Sequence, residues 1–376
     1  MDLVFSNCTV LTNDEENRVL PACDVVVHEG AITELGQRKS MNQPQRLVDG
    51  SDLLIMPGLI NSHTHSPENF AKGRAESMTL GPWLDQIWPA LDVLEPRQIY
   101  IAALLGAAEM LHTGTISVVD HFRQTPMNLA AVDAVAEGYR DSGMRAVIAV
   151  MLRDIPQFKG QLLPSATDQI DIVEQAHLNC DTLKCSKVRV ALGPSAPTRC
   201  TENLLISARD LALRHGLFLH THIDETSTDA AEARKRYGTS SVQHLANLEL
   251  LTPFLSLAHG VWLSSEDFEL LASSGSTVVH NPVSNMRLGS GIAPLTALRE
   301  HGVSVALGSD GAASNDGQDM FEALKAAVLL QRVAGVEAKY WFTANPKAND
   351  ILKNEEVAYV LAFSIIMLNT DLHNDQ

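Results

Sequence analysis

From Pro57 onward, short apolar runs rich in β-branched residues alternate with longer segments of helical period, and the alternation repeats eight times. The runs are residues 58–63, 116–121, 145–152, 188–193, 217–222, 255–259, 277–280 and 303–308. Between them, residues 96–112, 127–142, 202–215, 266–273 and 292–301 carry helical periodicity. Several of these segments stop at a glycine (Gly114, Gly143, Gly216, Gly275, Gly302), which readily takes the left-handed conformation that closes a helix. Eight buried strands alternating with helices predict an α/β fold, a parallel (β/α)8 barrel of TIM type, with a doubly wound sheet as the competing arrangement.

A barrel gathers its active site at the C-terminal ends of its strands. In chain order those ends carry His63 and His65, Asp120-His121, Arg153, Ser195, His222 with Glu225, His259, His280-Asn281, and Asp310. Any one of these histidines is most simply a core side chain satisfied by backbone. Six strands ending in His or Asp by chance is a much poorer explanation, and together they describe a metal site.

In a strand, side chains two apart share a face, so His63 and His65 can reach one point. With His222 they offer three neutral nitrogen ligands, and Asp310 adds an anionic oxygen. One divalent ion suits that set, Zn2+ first and Fe2+ as the alternative, with a position left open for water. Asp310 is placed to accept a proton from that water, Glu225 to shuttle a proton to a bound substrate, and His259 to hydrogen-bond the water or a developing oxyanion. His280 and Asn281 are expected to shape the substrate pocket. Trp88, Trp83 and Arg74 come after the first strand; pocket lining is the functional reading of Trp88, and core packing the competing one.

Residues 1–55 obey a different grammar. Short strand-like runs are separated by turn signals such as Asn13-Asp14, Glu29-Gly30 and Asp49-Gly50, with nothing helical between them. The expected organisation is a small β unit over 1–55, the barrel over 56–335, and a tail over 336–376.

The chain of 376 residues has a formal net charge of −17, which argues against nucleic acid and anionic membrane as partners. No basic start is followed by an apolar signal core, and no apolar run approaches the length of a spanning helix. Five scattered cysteines (Cys8, Cys23, Cys180, Cys185, Cys200) read as reduced thiols of a cytoplasmic protein.

Five stretches carry a family resemblance: PGLINSHTH (57–65), HTHIDE (220–225), AHGVWLS (258–264), VVHNPVSNMRLGSGIAP (278–294) and ALGSDGAASND (306–316). They resemble the amidohydrolase superfamily, within it the branch of S-adenosylhomocysteine, triazine and other N-heterocycle deaminases, from residue 1 to about 332. The resemblance implies hydrolysis of an exocyclic C–N bond on a heterocycle. By that match His63, His65, His222 and Asp310 bind metal, while Glu225 and His259 are catalytic. Two-metal members carry a lysine at the end of the fourth strand; here the chain reads Leu192-Gly193-Pro194-Ser195, so one metal is expected. Adenosine-type members have His where this chain has Ser195, and an arginine near Val150, where Arg153 is the only candidate. Arg153 and Ser195 join the expected substrate-binding set, and the substrate is named no more finely than an aminated N-heterocycle. Pairing into a homodimer is an expectation by analogy alone.

After Arg332 the family pattern breaks off. The string YVLAFSIIMLNTDLHN (359–374) is similar to part of the catalytic domain of Arf-type guanine nucleotide exchange factors. A helix over 356–368 is expected, leaving the N-terminal strands without their closing partners and making residues 1–55 the least stable part. This break admits two further functions: an inactive metal-binding barrel, and a tail that binds a small GTPase.

Overall fold

The computed structural model describes residues 3–14, 16, 18–37, 46–157, 161–182, 187–335 and, for the backbone, 365–368. The chain divides into two compact units, residues 1–59 with 343–376, and residues 60–342.

The smaller unit is a six-stranded sheet. Its strands are β1 (Leu3–Leu11), β2 (Val19–His28), β3 (Ala31–Gly36), β4 (Arg46–Asp49), β5 (Leu54–Pro57) and β14 (Ile365–Leu368), in the order β14-β5-β1-β2-β3 with β4 also on β1. β1 is antiparallel to β2 along one edge. Along the other it pairs in parallel first with β4 and then with β5. Phe5, Cys8, Val10, Cys23, Val25 and Ile55 form its apolar core, as alternation along half-buried strands requires.

β14 corrects the expectation for the tail. Its residues Ile365, Ile366, Met367 and Leu368 are not helical but pair in parallel, residue for residue, with Leu54–Pro57. Two consecutive isoleucines favour the extended state, and the open edge of β5 offers ladder hydrogen bonds that a helix cannot supply. The sheet therefore has a partner on that edge, which removes the stated reason for residues 1–55 to be the weakest part. The rest of the exchange-factor-like string lies outside the described residues.

The larger unit is the expected barrel. Its strands are β6 (Leu59–Thr64), β7 (Thr115–Asp120), β8 (Arg145–Leu152), β9 (Val188–Pro194), β10 (Leu219–Ile223), β11 (Leu255–His259), β12 (Thr277–His280) and β13 (Ser304–Leu307), neighbouring one another in chain order. The periodic segments form helices at Pro96–His112, Leu129–Ser142, Glu202–His215, Ser265–Ser274 and Leu295–Glu300. Gly143, Gly216 and Gly275 close three of them with positive φ. Residues 166–182 and 320–334 are helical too, and Leu80–Leu91 forms a helix in the loop after β6 despite Pro89 in its last turn. One continuous apolar core, with Ile148, Leu152, Leu192, Leu204 and Leu257 fully buried, fills the space between strands and helices.

The ring closes where β6 meets the chain leaving β13. Asn61 Nδ2 donates to Ser309 Oγ at 2.7 Å, the Ser309 amide donates to Asn61 Oδ1 at 3.0 Å, and the Asp310 amide donates to the His63 carbonyl at 2.9 Å. Gly308 makes this approach possible. A Cβ there would collide with Asn281 Oδ1 and lie 2.8 Å from His63 Cβ and 3.0 Å from His63 N. Gly308→Ala should therefore destabilise the barrel by about 1–3 kcal/mol, read as a lower Tm in a thermal melt. An unchanged Tm would mean that the seam has slack the packing does not show.

Candidate metal centre and active site

His63, His65 and His222 each have one nitrogen held from behind and one turned inward. His65 Nδ1 lies 2.7 Å from the His121 carbonyl oxygen and His222 Nδ1 lies 2.6 Å from the Ser195 carbonyl oxygen. A carbonyl only accepts, so both Nδ1 atoms carry the proton and both Nε2 atoms keep a lone pair. His63 Nδ1 sits 2.7 Å from His220 Nε2, and His220 Nδ1 sits 2.6 Å from Ser256 Oγ. With His63 donating along that chain, its Nε2 is also free.

The inward atoms converge. Asp310 Oδ1 is 3.2 Å from His63 Nε2 and 3.3 Å from His65 Nε2, and His65 Nε2 is 3.3 Å from His222 Nε2. Buried His63 Nε2 has no hydrogen-bond partner. Two overlapping groups have donor atoms within 4.8 Å of one another, His63-His65-Asp310 and His63-His121-His222. The donor set, the outward-held Nδ1 atoms and the orphaned nitrogen all fit a bound divalent cation.

The electrostatics point the same way. Burial drives the His63 imidazole down to about 4, against the opposing pull of Asp310. Burial and the neighbouring rings hold His121, His220 and His222 well below the ordinary value. Neutral imidazoles are what metal ligation needs. Burial alone would raise Asp310, but its close contact with His63, and then the neighbouring His259 and His65, hold its carboxyl well below the usual range. Ser284 Oγ (2.6 Å), Ser314 Oγ (3.2 Å) and the Gly311 amide (2.8 Å) donate to the same carboxylate.

Glu225 and His259 adjoin this cluster. His259 Nε2 is 3.7 Å from Glu225 Oε2 and 3.9 Å from Asp310 Oδ2. His259 Nδ1 lies 2.9 Å from Asn285 Oδ1, which fixes the plane of the ring. Burial raises the Glu225 carboxyl to about 7, with His259 opposing and Asp310 reinforcing. His259 (φ 76°) and Asp310 (φ 62°) both hold left-handed backbone, a strained state for residues with a Cβ, held here by the surrounding contacts.

A cavity with about 480 Å³ of space not filled by protein atoms, its mouth included, is lined by His65, His222, Glu225, His259 and Asp310. Trp83, Trp88, Leu84, Met151, Arg123, Arg199 and Glu68 line it as well. Trp88 both lines the cavity and packs with Leu80, Ile87 and Leu91. Arg74 is exposed. Arg153 lies against Trp88, 4.9 Å from its ring centroid. Ser195 is buried behind His222, which its carbonyl orients. His280 and Asn281 are fully buried, and neither ring nitrogen of His280 nor either amide atom of Asn281 has a hydrogen-bond partner.

Residues to which the strand-end argument assigns no role also matter. His220 shares the sequence HTH with His222 and is the support of His63. Its alternation with His222 is the available signal. His121 is admitted because Gly193 has no side chain: a Cβ there would stand 2.8 Å from the His121 ring. Glu68 lies just past β6, and burial, then Asp310, push its carboxyl well up. Asp120 accepts from the Ser66 amide and the Tyr139 hydroxyl and anchors the loop after β6.

Known proteins resemble this chain in sequence and fold. Residues 54–348 match the amidohydrolase family. The chain is 36% identical to a 5'-deoxyadenosine deaminase of Methanosarcina barkeri over 337 residues, covering 88% of this chain and 74% of that protein. It is 34% identical to a 5-methylthioadenosine/S-adenosylhomocysteine deaminase of Thermococcus kodakarensis over 340 residues, covering 90% and 76%. Among solved structures, an adenosine deaminase from Xanthomonas campestris with bound zinc superposes with a TM-score of 0.82 at 29% identity, covering 90% of this chain and 75% of that one. With a barrel closed at His63 and Asp310 and a donor set fit for a divalent ion, the chain belongs to the amidohydrolase family, as a hydrolase of carbon–nitrogen bonds.

Proposed function

We propose that this protein is a Zn2+-dependent aminohydrolase that removes the exocyclic amino group of an N-heterocycle of the aminopurine nucleoside kind. The observation that carries this reading is the convergence of three histidine Nε2 atoms and one carboxylate oxygen while the Nδ1 atoms are held from behind. In this reading His63, His65, His222 and Asp310 hold one ion. Zn2+ is favoured over Fe2+ by a set of three nitrogens and one oxygen. When bound there, the ion supplies the Lewis acidity that makes water a nucleophile at neutral pH. The nucleoside class rests on the names of the relatives, which are adenosine-type deaminases. Cys8, Cys23 and Cys200 are buried thiols outside any disulfide, which fits a reducing, cytoplasmic setting.

The side chains divide the proton work. Asp310 is ionised and placed to accept a proton from the attacking water, with His259 within 3.9 Å of the same carboxylate. Glu225, raised to about 7, is partly protonated at neutral pH and can donate to the ring nitrogen next to the carbon under attack. The water oxygen bonds to that carbon, the exocyclic C–N bond breaks, and the amine leaves as ammonia after taking a proton relayed by Glu225. His259 hydrogen-bonds the oxygen as charge develops on it. Trp88 and Trp83 supply apolar wall for the ring, and His280, Asn281 and Ser195 support the pocket floor from behind.

The test is metal analysis with ammonia release from a panel of 5'-deoxyadenosine, methylthioadenosine, adenosine and aminotriazines. His222→Ala should lose the bound ion and turnover together, and a variant with full metal content and full activity would overturn the ligand set. Glu225→Gln should keep the ion while kcat falls by about 10²–10⁴-fold; parallel loss of metal would move Glu225 into the ligand shell. His220→Ala should weaken metal affinity by about 10–100-fold, measured by competition with a chelating dye. An unchanged affinity would show that the Nδ1 support of His63 is dispensable.

A further inference from the structure

Glu225 and His259 are both held from one short stretch of chain after β12. His259 Nδ1 meets Asn285 Oδ1 at 2.9 Å, and Ser290 Oγ donates to Glu225 Oε1 at 3.5 Å. Glu225 and His259 line the cavity, whereas Asn285 and Ser290, at 0% and 3% exposure, do not. Among the described residues, the Ser290 hydroxyl is the one hydrogen-bond partner of the Glu225 carboxyl. Its distance is at the long end of the hydrogen-bond range, as contacts of catalytic groups often are before substrate tightens them.

The local sequence builds this placement. Ser290 stands between Gly289 (φ 64°) and Gly291 (φ 124°), two backbone states that a residue with a Cβ rarely adopts. The turn they make directs the serine inward, where a loop serine would ordinarily face water. Its main chain is fixed at both ends: the Ser290 amide donates to the Asn285 carbonyl at 2.8 Å, and Trp262 Nε1 donates to the Ser290 carbonyl at 2.8 Å. Trp262 is itself tied beside Glu225, because its amide donates to the Asp224 carbonyl at 3.1 Å. A Cβ on Gly291 would stand 3.0 Å from Val261 Cγ1 and 3.5 Å from Trp262 Nε1, so the turn packs closely on that support. Leu288, 3% exposed, anchors the same stretch in the apolar cluster of Trp83 and Trp88.

A buried carboxyl group with neither oxygen held can rotate between orientations, and a proton shuttle needs one of them. A hydroxyl donating to Oε1 leaves Oε2 as the oxygen that carries the proton. Oε2 is also the oxygen that faces His259 Nε2, at 3.7 Å. We propose that Ser290 is a positioning residue for the deamination, acting through Glu225: its hydroxyl, set in place by Trp262, holds Oε1 so that Oε2 presents the proton to the substrate. Because Asn285 and Ser290 belong to one stretch, the same turn sets the spacing between Glu225 and His259. This rests on the aminohydrolase reading and adds the residue that orients its proton donor.

The experiment is a double-mutant cycle on the zinc-loaded full chain, with the best substrate of the panel above. Ser290→Ala should lower kcat by about tenfold while KM stays within about twofold, with zinc content unchanged. In the Glu225→Gln background the same substitution should cost nothing further, because the carboxyl it orients is gone. Trp262→Phe keeps an aromatic ring, loses the Nε1 donor, and should lower kcat by about threefold with the same non-additivity. Ser290 donation favours the ionised carboxyl, so its loss should also move the Glu225 limb of the kcat/KM profile up by about half a pH unit. The charges of His259, Asp310, Asp229, Arg199 and Glu68 around Glu225 are the same in both proteins. An unchanged kcat in Ser290→Ala, an equal loss in both backgrounds, or an unmoved limb would overturn the proposal, leaving the serine a loop residue. If no compound of the panel releases ammonia, the aminohydrolase reading is what fails, and a 13C NMR titration of Cδ-labelled glutamate, assigned with Glu225→Gln, decides the contact. A Glu225 curve displaced to higher pH in Ser290→Ala supports the hold of Ser290 on Glu225; coincident curves overturn it.

Discussion

The amide of Asp310 donates to the carbonyl of His63 across 2.9 Å, and the Asn61–Ser309 pair repeats the link one step deeper. This seam joins the first barrel strand to the chain just past the last. It brings a carboxylate to two imidazoles nearly 250 positions away in sequence, within 3.3 Å of both. The position of the donor cluster is a consequence of ring closure, and ring closure depends on Gly308 leaving room for His63 and Asn281. The left-handed backbone at His259 and Asp310 is retained in that setting because hydrogen bonds from Ser284, Ser314 and Gly311 fix the carboxylate.

Around that seam the protein sorts charge by burial. The His63 and His121 imidazoles are kept neutral because desolvation outweighs their attraction to Asp310, while Ser284, Ser314 and the Gly311 amide donate to the Asp310 carboxylate, which is held well below the usual range. Glu225, equally buried but with fewer partners, is raised to about 7. One pocket thus holds an ionised carboxylate beside a partly protonated one. Farther out, the indole of Trp88 is surrounded by cations, so the cavity runs from a neutral and anionic donor cluster to a positive wall.

Much of this is legible in the sequence, and the reason is geometric. A barrel places function at strand ends, so His63, His65, His222, His259 and Asp310 can be located from the residues that terminate each apolar run. Glu225 is close enough to His222 to come with it. His220, Asn285 and Ser284 are not legible as supports, because their contacts depend on strand register and on which neighbour faces inward. The arginine cluster is hidden for a similar reason: Arg153 comes forward only as the arginine near Val150, Arg123 and Arg199 are ordinary in sequence, and the three meet only at Trp88. The helix of that tryptophan, Leu80–Leu91, contains Gly81, Pro82 and Pro89 and gives a poor helical signal. At residues 365–368 the apolar run suggests a helix, whereas the open edge of β5 selects a strand. Local pattern cannot weigh a ladder offered by residues some 310 positions earlier.

The most direct measurement is a crystal structure of the zinc-loaded protein with anomalous data at the zinc edge. The predicted result is a single anomalous peak about 2.0–2.2 Å from His63 Nε2, His65 Nε2, His222 Nε2 and one Asp310 carboxylate oxygen, with each Nδ1 still held from behind. A peak bound through Nδ1 atoms, one held by His121 in place of His65 and Asp310, or a second peak sharing these ligands would contradict the account.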